Sequence, residues 1–461
     1  MCGIVGISGI EKAAEQAYLA LYALQHRGQE AAGIVTFDGT VSRSHRGSGL
    51  VSEVFDEEIL ERLRGDVAVG HTRYSTAGDD DHANVQPLTA RFSRGDLALA
   101  HNGNLTNHLD LRARLVEDGA IIRSSADSEA LVHLIAKSRH YGTDAQIDDA
   151  LSHLEGAFSV VLSVGETLYA ACDPRGFRPL VLGKKGSGHV VASETCALDI
   201  LGAEFVRNLE PGEVIRIQNG RVERLRSLRP VQPHAPCIFE LVYFARPDSR
   251  IWGVSVDRAR RAFGRRLARE HPIEADAVIA VPDSANSAAL GFSEESGIPF
   301  ELGLLRNHYV GRTFIQPQQQ DRDFSARMKY NAVREVVDGK RVVIVDDSLV
   351  RGTTSRSLVR MLRQVGATEV HFRIGSPPVR WPCFYGIDMP TRGELIGADL
   401  EISEIAAKLS VDSLGYLSLQ GMTEAVAEAG PYCTACFSGE YPSPLVDVEK
   451  GLASPEGPPR C

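Results

Sequence analysis

Long apolar runs are missing from this 461-residue chain; none approaches the roughly 20 residues that a membrane-spanning helix needs. The N-terminus, Met1-Cys2-Gly3-Ile4-Val5-Gly6, has no basic stretch ahead of an apolar one, so no secretory signal is expected. Cysteine is sparse, with eight residues, too few for a disulfide scaffold of this length. A cytoplasmic protein with reduced thiols is expected. Positive charge is in deficit: 50 Lys and Arg face 60 Asp and Glu, a net charge of −10. That balance argues against nucleic acid or an anionic membrane as a general partner. An anionic substrate would need a local nest of amides, basic side chains or a metal. Internal repeats and low-complexity blocks are also absent. What is present, 43% hydrophobic and 24% charged residues, is ordinary for a globular protein, and the length suits two to three domains.

The first half is rich in short β-like runs bounded by Gly, Asp or Asn: Cys2–Ser8, Ala31–Phe37, Val67–Thr72, Leu97–Asn102, Phe158–Val164 and His189–Ser193. Helical spacing of apolar residues marks Glu11–Gln25 and Ser128–Lys137. Strands with packed helices predict an α+β sandwich. The Arg- and Pro-rich stretch Leu225–Pro236 reads as a boundary near residue 230. Beyond it, apolar strands Ala277–Val281, Arg341–Val345 and Val370–Ile374 alternate with helices such as Thr354–Val365, which predicts a parallel doubly wound sheet. The segment 446–461, with three prolines after Gly451, is expected to be a disordered tail.

Cys2 directly follows the initiator. Removal of Met1 would place a free α-amine beside the thiol, and an α-amine titrates near roughly 7.7–8.0, so nucleophile and base would share one residue. A near-terminal cysteine can equally be a small buried residue. Further motifs favour chemistry. His71-Thr72-Arg73 ends a strand with a guanidinium suited to a carboxylate. His101-Asn102-Gly103-Asn104 offers a side-chain NH2 at Asn102 and close backbone approach at Gly103, the parts of an oxyanion hole. Asp127, ahead of a helix, can pair with an ammonium group or cap the helix.

These segments, with Gln25-His26-Arg27-Gly28-Gln29, resemble the N-terminal-nucleophile (αββα) glutaminase domain of class II amidotransferases. The resemblance covers residues 2–230. It implies Cys2 as nucleophile, its amine as base, Asn102 and Gly103 as the oxyanion hole, Arg73 on the glutamine α-carboxylate and Asp127 on its α-amine. No propeptide is expected ahead of Cys2.

Val342-Val343-Ile344-Val345-Asp346-Asp347-Ser348-Leu349-Val350-Arg351-Gly352-Thr353-Thr354 is the strongest single signal. A buried strand ends in two carboxylates, and a loop with Gly and hydroxyls opens a helix; amides there bind phosphate. Asp346 and Asp347 can hold ribose hydroxyls or Mg2+. The stretch resembles the fingerprint of type I phosphoribosyltransferases for phosphoribosyl pyrophosphate (PRPP). The resemblance places the 5′-phosphate on Val350–Thr354, including Arg351, Gly352 and Thr353, beside Ser348. It places pyrophosphate at Asp283 and Ser284, and one Mg2+ at Ser284, Asp346 and Asp347. Arg306–Ile315, followed by a Gln-rich stretch and Lys329, resembles a loop that closes over PRPP, with Arg312 and Lys329 as pyrophosphate contacts.

Cys433-Thr434-Ala435-Cys436 is a C-x2-C pair, joined by Cys237 and Cys383. Four such thiols suit zinc or a [4Fe–4S] cluster, and spacing does not choose between them. Their contexts resemble the iron–sulfur type of amidophosphoribosyltransferase, which implies a [4Fe–4S] cluster on Cys237, Cys383, Cys433 and Cys436 with a structural role. Cys172 and Cys196 read as core residues and Cys461 as a tail thiol. The domains implied are 2–230 glutaminase and 231–445 phosphoribosyltransferase. The family further implies a homotetramer, purine nucleotides as feedback inhibitors and a place in purine biosynthesis.

Overall fold

The computed structural model describes residues 1–74, 82–225, 228, 230–307, 329–389 and 391–457. The first half stacks two antiparallel sheets. One has seven strands in the order Glu204–Asn208, Val181–Lys185, Gly188–Ala192, Gly3–Ser8, Val67–Arg73, Ala31–Phe37 and Ser42–Ser48. The other has six: Arg221–Arg224, Val214–Gln218, Thr167–Cys172, Gly156–Val164, Gly95–Leu105 and Leu88–Phe92.

Ile4, Val35, Val69, Ala98, Ala100 and Val161 fill the space between the sheets. Helices Ala13–Ala23 and Cys196–Leu201 cover the outer face of the first sheet. Helices His108–Glu117, Ser128–Lys137 and Thr143–Ser152 cover the second. Both sheets are therefore covered on two faces. This explains why strands such as Gly3–Ser8 and Gly156–Val164 are buried at every position rather than alternating. The result is an αββα sandwich.

The second half contains a four-stranded parallel sheet in the order Ala277–Ala280, Arg341–Asp346, Glu369–Ile374 and Ser413–Tyr416. Val342, Val343, Ile344 and Val345 are fully buried on its central strand. Helices Val256–Glu270, Asn286–Ser296 and Thr353–Val365 flank it. An antiparallel pair, Leu304–Arg306 with Tyr330–Ala332, stands at the two ends of segment 308–328, which lies outside the described residues. The last strand of the first half ends at Arg224, and a π-helical turn, Glu240–Phe244, opens the second.

One expectation needs correction. Residues 446–457 are not a free tail. Val446–Glu449 forms a helical turn against the first half, and Asp447 is buried there. Its carboxylate accepts from the amides of Leu109 (3.0 Å) and Asp110 (3.1 Å), capping helix His108–Glu117, whose own N-cap residue Asn107 supplies no side-chain bond. Lys450 adds an ion pair to Asp110 at 2.7 Å. Composition missed this because a single buried carboxylate anchors the segment, and its partners lie more than 300 residues away in sequence.

Candidate active sites

The strands Gly3–Ser8 and Val67–Arg73 pair with Gly3 opposite Thr72, which sets Cys2 beside the end of the Arg73 strand. The Cys2 N–H donates to Asn102 Oδ1 at 3.1 Å. Asn102 is fully buried, and its Nδ2 has no hydrogen-bond partner among the described residues. A buried amide donor without a partner costs free energy, on the order of 1–3 kcal/mol, unless a ligand accepts from it. Gly103 adopts a φ of +154°, and a Cβ there would lie 2.0 Å from the carbonyl oxygen of Ala157. Its ladder neighbour Phe158 directs both its N–H (3.2 Å) and its C=O (2.8 Å) to Asp173, so Gly103 faces away from that strand. A buried amide NH2 and a backbone N–H turned away from the ladder therefore stand on adjacent residues.

Asp127 does not cap its helix through its side chain. It accepts from the Leu105 amide at 3.0 Å and from Ser128 Oγ at 3.0 Å, and lies 3.4 Å from His101 Nδ1. Burial alone would raise its pKa, but His101 outweighs this and holds it well below the usual carboxylate range. Asp127 is therefore a standing negative charge, as an ammonium partner must be. Arg73 ends its strand partly exposed, with no side-chain bond among the described residues. His71, fully buried with both ring nitrogens unpartnered among the described residues, is pushed down to about 3 by burial and stays neutral.

The residues that hold Cys2 escaped the sequence reading. Arg27, fully buried, donates Nε–H to the Cys2 carbonyl oxygen at 3.0 Å. Its other nitrogens reach Glu194 (2.5 Å) and Glu240 (2.8 and 3.0 Å). Arg178 lies 3.5 Å from Glu240 and donates Nε–H to the carbonyl of Tyr385 at 3.1 Å. Signals were there. Arg27 stands inside a quoted motif, and Glu240 is an acid set among apolar residues.

In the second half, Asp346 and Asp347 end the central strand beside each other. Burial first, and then the neighbouring carboxylate, raises Asp346 well above the ordinary range. Burial also raises Asp347, against the opposing hydrogen bonds from Ser284 and Ser348. The Ser284 loop and the Asp347 loop are therefore brought together as expected. Buried Arg260 clamps the Ser284 loop: it donates to the carbonyls of Ser284 (3.4 Å), Leu241 (2.9 Å), Tyr243 (2.8 Å) and Ala245 (2.8 Å). Asp283 pairs with Arg306 at 3.2 Å. Gly352 stands at the N-cap of helix Thr353–Val365, with Thr353 and Thr354 exposed on its first turn, and the Val350 carbonyl accepts from the Ile396 amide at 2.9 Å. Arg351 pairs with Glu394 at 3.1 Å. The Lys329 carbonyl accepts from the Asn307 amide at 2.8 Å, and Arg312 lies outside the described residues.

Cys237, Cys383, Cys433 and Cys436 are all buried and free of disulfides. Cys237 and Cys433 face each other across a β-bridge, and the Tyr385 amide lies 3.3 Å from Cys383 Sγ. Burial raises Cys433 and Cys436, with Cys237 and Cys383 adding to the effect, and pushes Cys237 up to about 11. The four are thus near enough to act on one another. Among the described residues, no group of three or more His, Cys, Asp or Glu is arranged to hold a single metal ion. Cys172 and Cys196 are core residues, and Cys461 lies outside the described residues.

Fold and sites together define a class II glutaminase sandwich joined to an α/β domain of phosphoribosyltransferase type. A family model for the glutamine amidotransferase domain matches residues 71–199. Over nearly its whole length the chain is similar to the amidophosphoribosyltransferases of Synechococcus elongatus (50% identity, 96% of this chain and 91% of the relative) and Bacillus subtilis (48%, 96% and 94%). It superposes with a TM-score of 0.90 on the B. subtilis glutamine PRPP amidotransferase complexed with ADP and GMP, at 47% identity over 96% of this chain and 98% of that one. The chain belongs to the amidophosphoribosyltransferase family.

Among the described residues, no helix is long and apolar enough to cross a membrane.

Proposed function

We propose that this chain makes 5-phosphoribosylamine from glutamine and PRPP, the committed step of purine biosynthesis. Once Met1 is removed, the α-amine of Cys2 takes the thiol proton. The thiolate attacks the glutamine side-chain carbonyl, Asn102 Nδ2 and the Gly103 N–H stabilise the oxyanion, and ammonia leaves. Water then hydrolyses the thioester to glutamate. Arg73 and Asp127 hold the α-carboxylate and α-amine of glutamine. Ammonia passes to the second half and attacks C1 of the ribose, displacing pyrophosphate. Asp346 and Asp347 bind the ribose, and the loop Val350–Thr354 binds the 5′-phosphate through its amides and the helix N-terminus. The observation that carries this reading is the buried, unpartnered Asn102 Nδ2 on the residue that also accepts from Cys2.

Mg2+ would fit at Ser284, Asp346 and Asp347, because two adjacent carboxylates, Asp347 buried and Asp346 half-buried, with raised pKa values call for a cation and substrate phosphates can supply its remaining oxygens. It would neutralise the leaving pyrophosphate. Three buried thiols held up by burial and by the cysteines around them, Cys237, Cys433 and Cys436, with buried Cys383 beside them, fit a group that takes the place of their protons. A [4Fe–4S] cluster there would tie Cys237, Cys383, Cys433 and Cys436 together; the lack of a single-ion arrangement among the described residues speaks against zinc, the alternative left open by the spacing. We further assign the protein to the cytoplasm, as a homotetramer under feedback by purine nucleotides, the last in line with the ADP and GMP bound to the B. subtilis relative.

The test is a Cys2→Ser protein, purified without oxygen, with iron and sulfide measured. Glutamine-dependent phosphoribosylamine formation should vanish while the reaction supplied with ammonia persists. A Cys2→Ser protein that still used glutamine at the normal rate would overturn the reading.

A further inference from the structure

We propose that the turn Cys383–Gly386 of the second half is a strut that positions the oxyanion hole of the first, with Asn104 and Gly386 as its positioning residues. The inference rests on the glutaminase reading above. Two contacts carry it. Asn104 Nδ2 donates to the carbonyl oxygen of Phe384 at 2.9 Å. Gly386, at φ +98°, lies so close to Gly103 that a Cβ on it would stand 2.7 Å from the Gly103 carbonyl carbon and oxygen and 3.0 Å from its Cα. The turn therefore grips the strand at Gly103 and at the next residue.

That grip matters because Gly103, although paired with Phe158 in the ladder, makes no backbone hydrogen bond to it. Its partner Phe158 turns both backbone groups to Asp173. The turn itself is anchored. Tyr385 stacks on Phe177 with ring centroids 4.4 Å apart, and its hydroxyl donates to the Ser443 carbonyl at 2.7 Å. Its own carbonyl accepts from Arg178. An oxyanion donor must be placed to within about 0.5 Å to work, and the surface that sets this placement belongs to the other half of the molecule.

The experiment compares full-length wild type, Cys2→Ser, Asn104→Ala, Asn104→Asp and Gly386→Ala, all purified without oxygen. It measures glutaminase kcat and KM alongside phosphoribosylamine formation from ammonia. Asn104→Ala should lower glutaminase kcat about tenfold, and Gly386→Ala about a hundredfold, as a displaced catalytic group does. KM for glutamine should stay within about threefold and the ammonia reaction within about twofold, because neither substrate is bound by the strut. Asn104→Asp keeps the shape but loses the donor, and should match Asn104→Ala.

An unchanged kcat in Asn104→Ala, or an equal fall in both reactions, overturns the strut. Should Gly386→Ala not fold, the two Asn104 variants decide alone. Glutaminase activity retained in Cys2→Ser would instead sink the underlying reading, so the two failures are distinct.

Discussion

Arg27 holds the carbonyl of Cys2 with one edge of its guanidinium and the carboxylate of Glu240 with another, so the nucleophile of the first half is tied to the opening turn of the second. Glu194 closes the group from the first half, together with His26 (2.7 Å) and Ser249 (2.7 Å). All of Arg27, Glu194 and Glu240 are fully buried. Two carboxylates sharing Arg27, with Arg178 beside Glu240 and His26 beside Glu194, make a costly arrangement in a core, and it persists because every member is hydrogen-bonded.

Arg27→Ala should therefore destabilise the protein by about 3–5 kcal/mol, since Glu194 and Glu240 would be left buried with the shared charge gone. Denaturant unfolding measures it. Arg27→Lys should recover part of the loss, because it restores charge without the fork that reaches both carboxylates and the Cys2 carbonyl.

Acid stability follows from Glu194. Burial alone would raise its pKa, but His26 and Arg27 outweigh this and hold it far below the usual range. An unfolded Glu titrates near roughly 4.3, so the stabilisation is complete above that pH and is lost as pH falls toward the folded value. Glu194→Gln should be less stable at neutral pH, and its acid limb should be shallower by up to about 1.4 kcal/mol per pH unit. Unfolding free energies measured between pH 7 and about pH 3 test this; parallel curves for the two proteins would contradict it.

Asn102→Ala removes a side-chain donor that makes no hydrogen bond among the described residues, together with the oxygen that accepts from the Cys2 N–H. Loss of one oxyanion donor costs about 100- to 1,000-fold in kcat. Glutaminase turnover should fall by that factor, with formation of phosphoribosylamine from ammonia unchanged. Steady-state kinetics with each nitrogen source gives the answer.

Asp447→Ala should cost about 1 kcal/mol, the usual worth of a helix cap, and free residues 446–457 for proteolysis. Limited digestion followed by mass measurement should find early cleavage after residue 445 in the variant only. Equal resistance in both proteins would mean that packing, not the cap, holds the segment.

The sequence by itself determined the elements and the local chemistry. The strands Ala31–Phe37 and Arg341–Asp346 and the helix Ser128–Lys137 were legible because apolar period and turn residues are local properties. The motifs that hold Cys2, Asn102, Gly103 and the Asp346-Asp347 pair were legible too, because each is carried by neighbours in the chain. The tertiary structure decided everything that depends on pairing across long separations. Arg27 meets Glu240 across 213 residues, Asn104 meets Phe384 across 280, and Asp447 meets Leu109 across 338. In sequence these are single polar residues without period or motif. Their roles come from burial, which makes an unpaired polar group costly and so fixes its partner, and burial is known only once the halves are packed together.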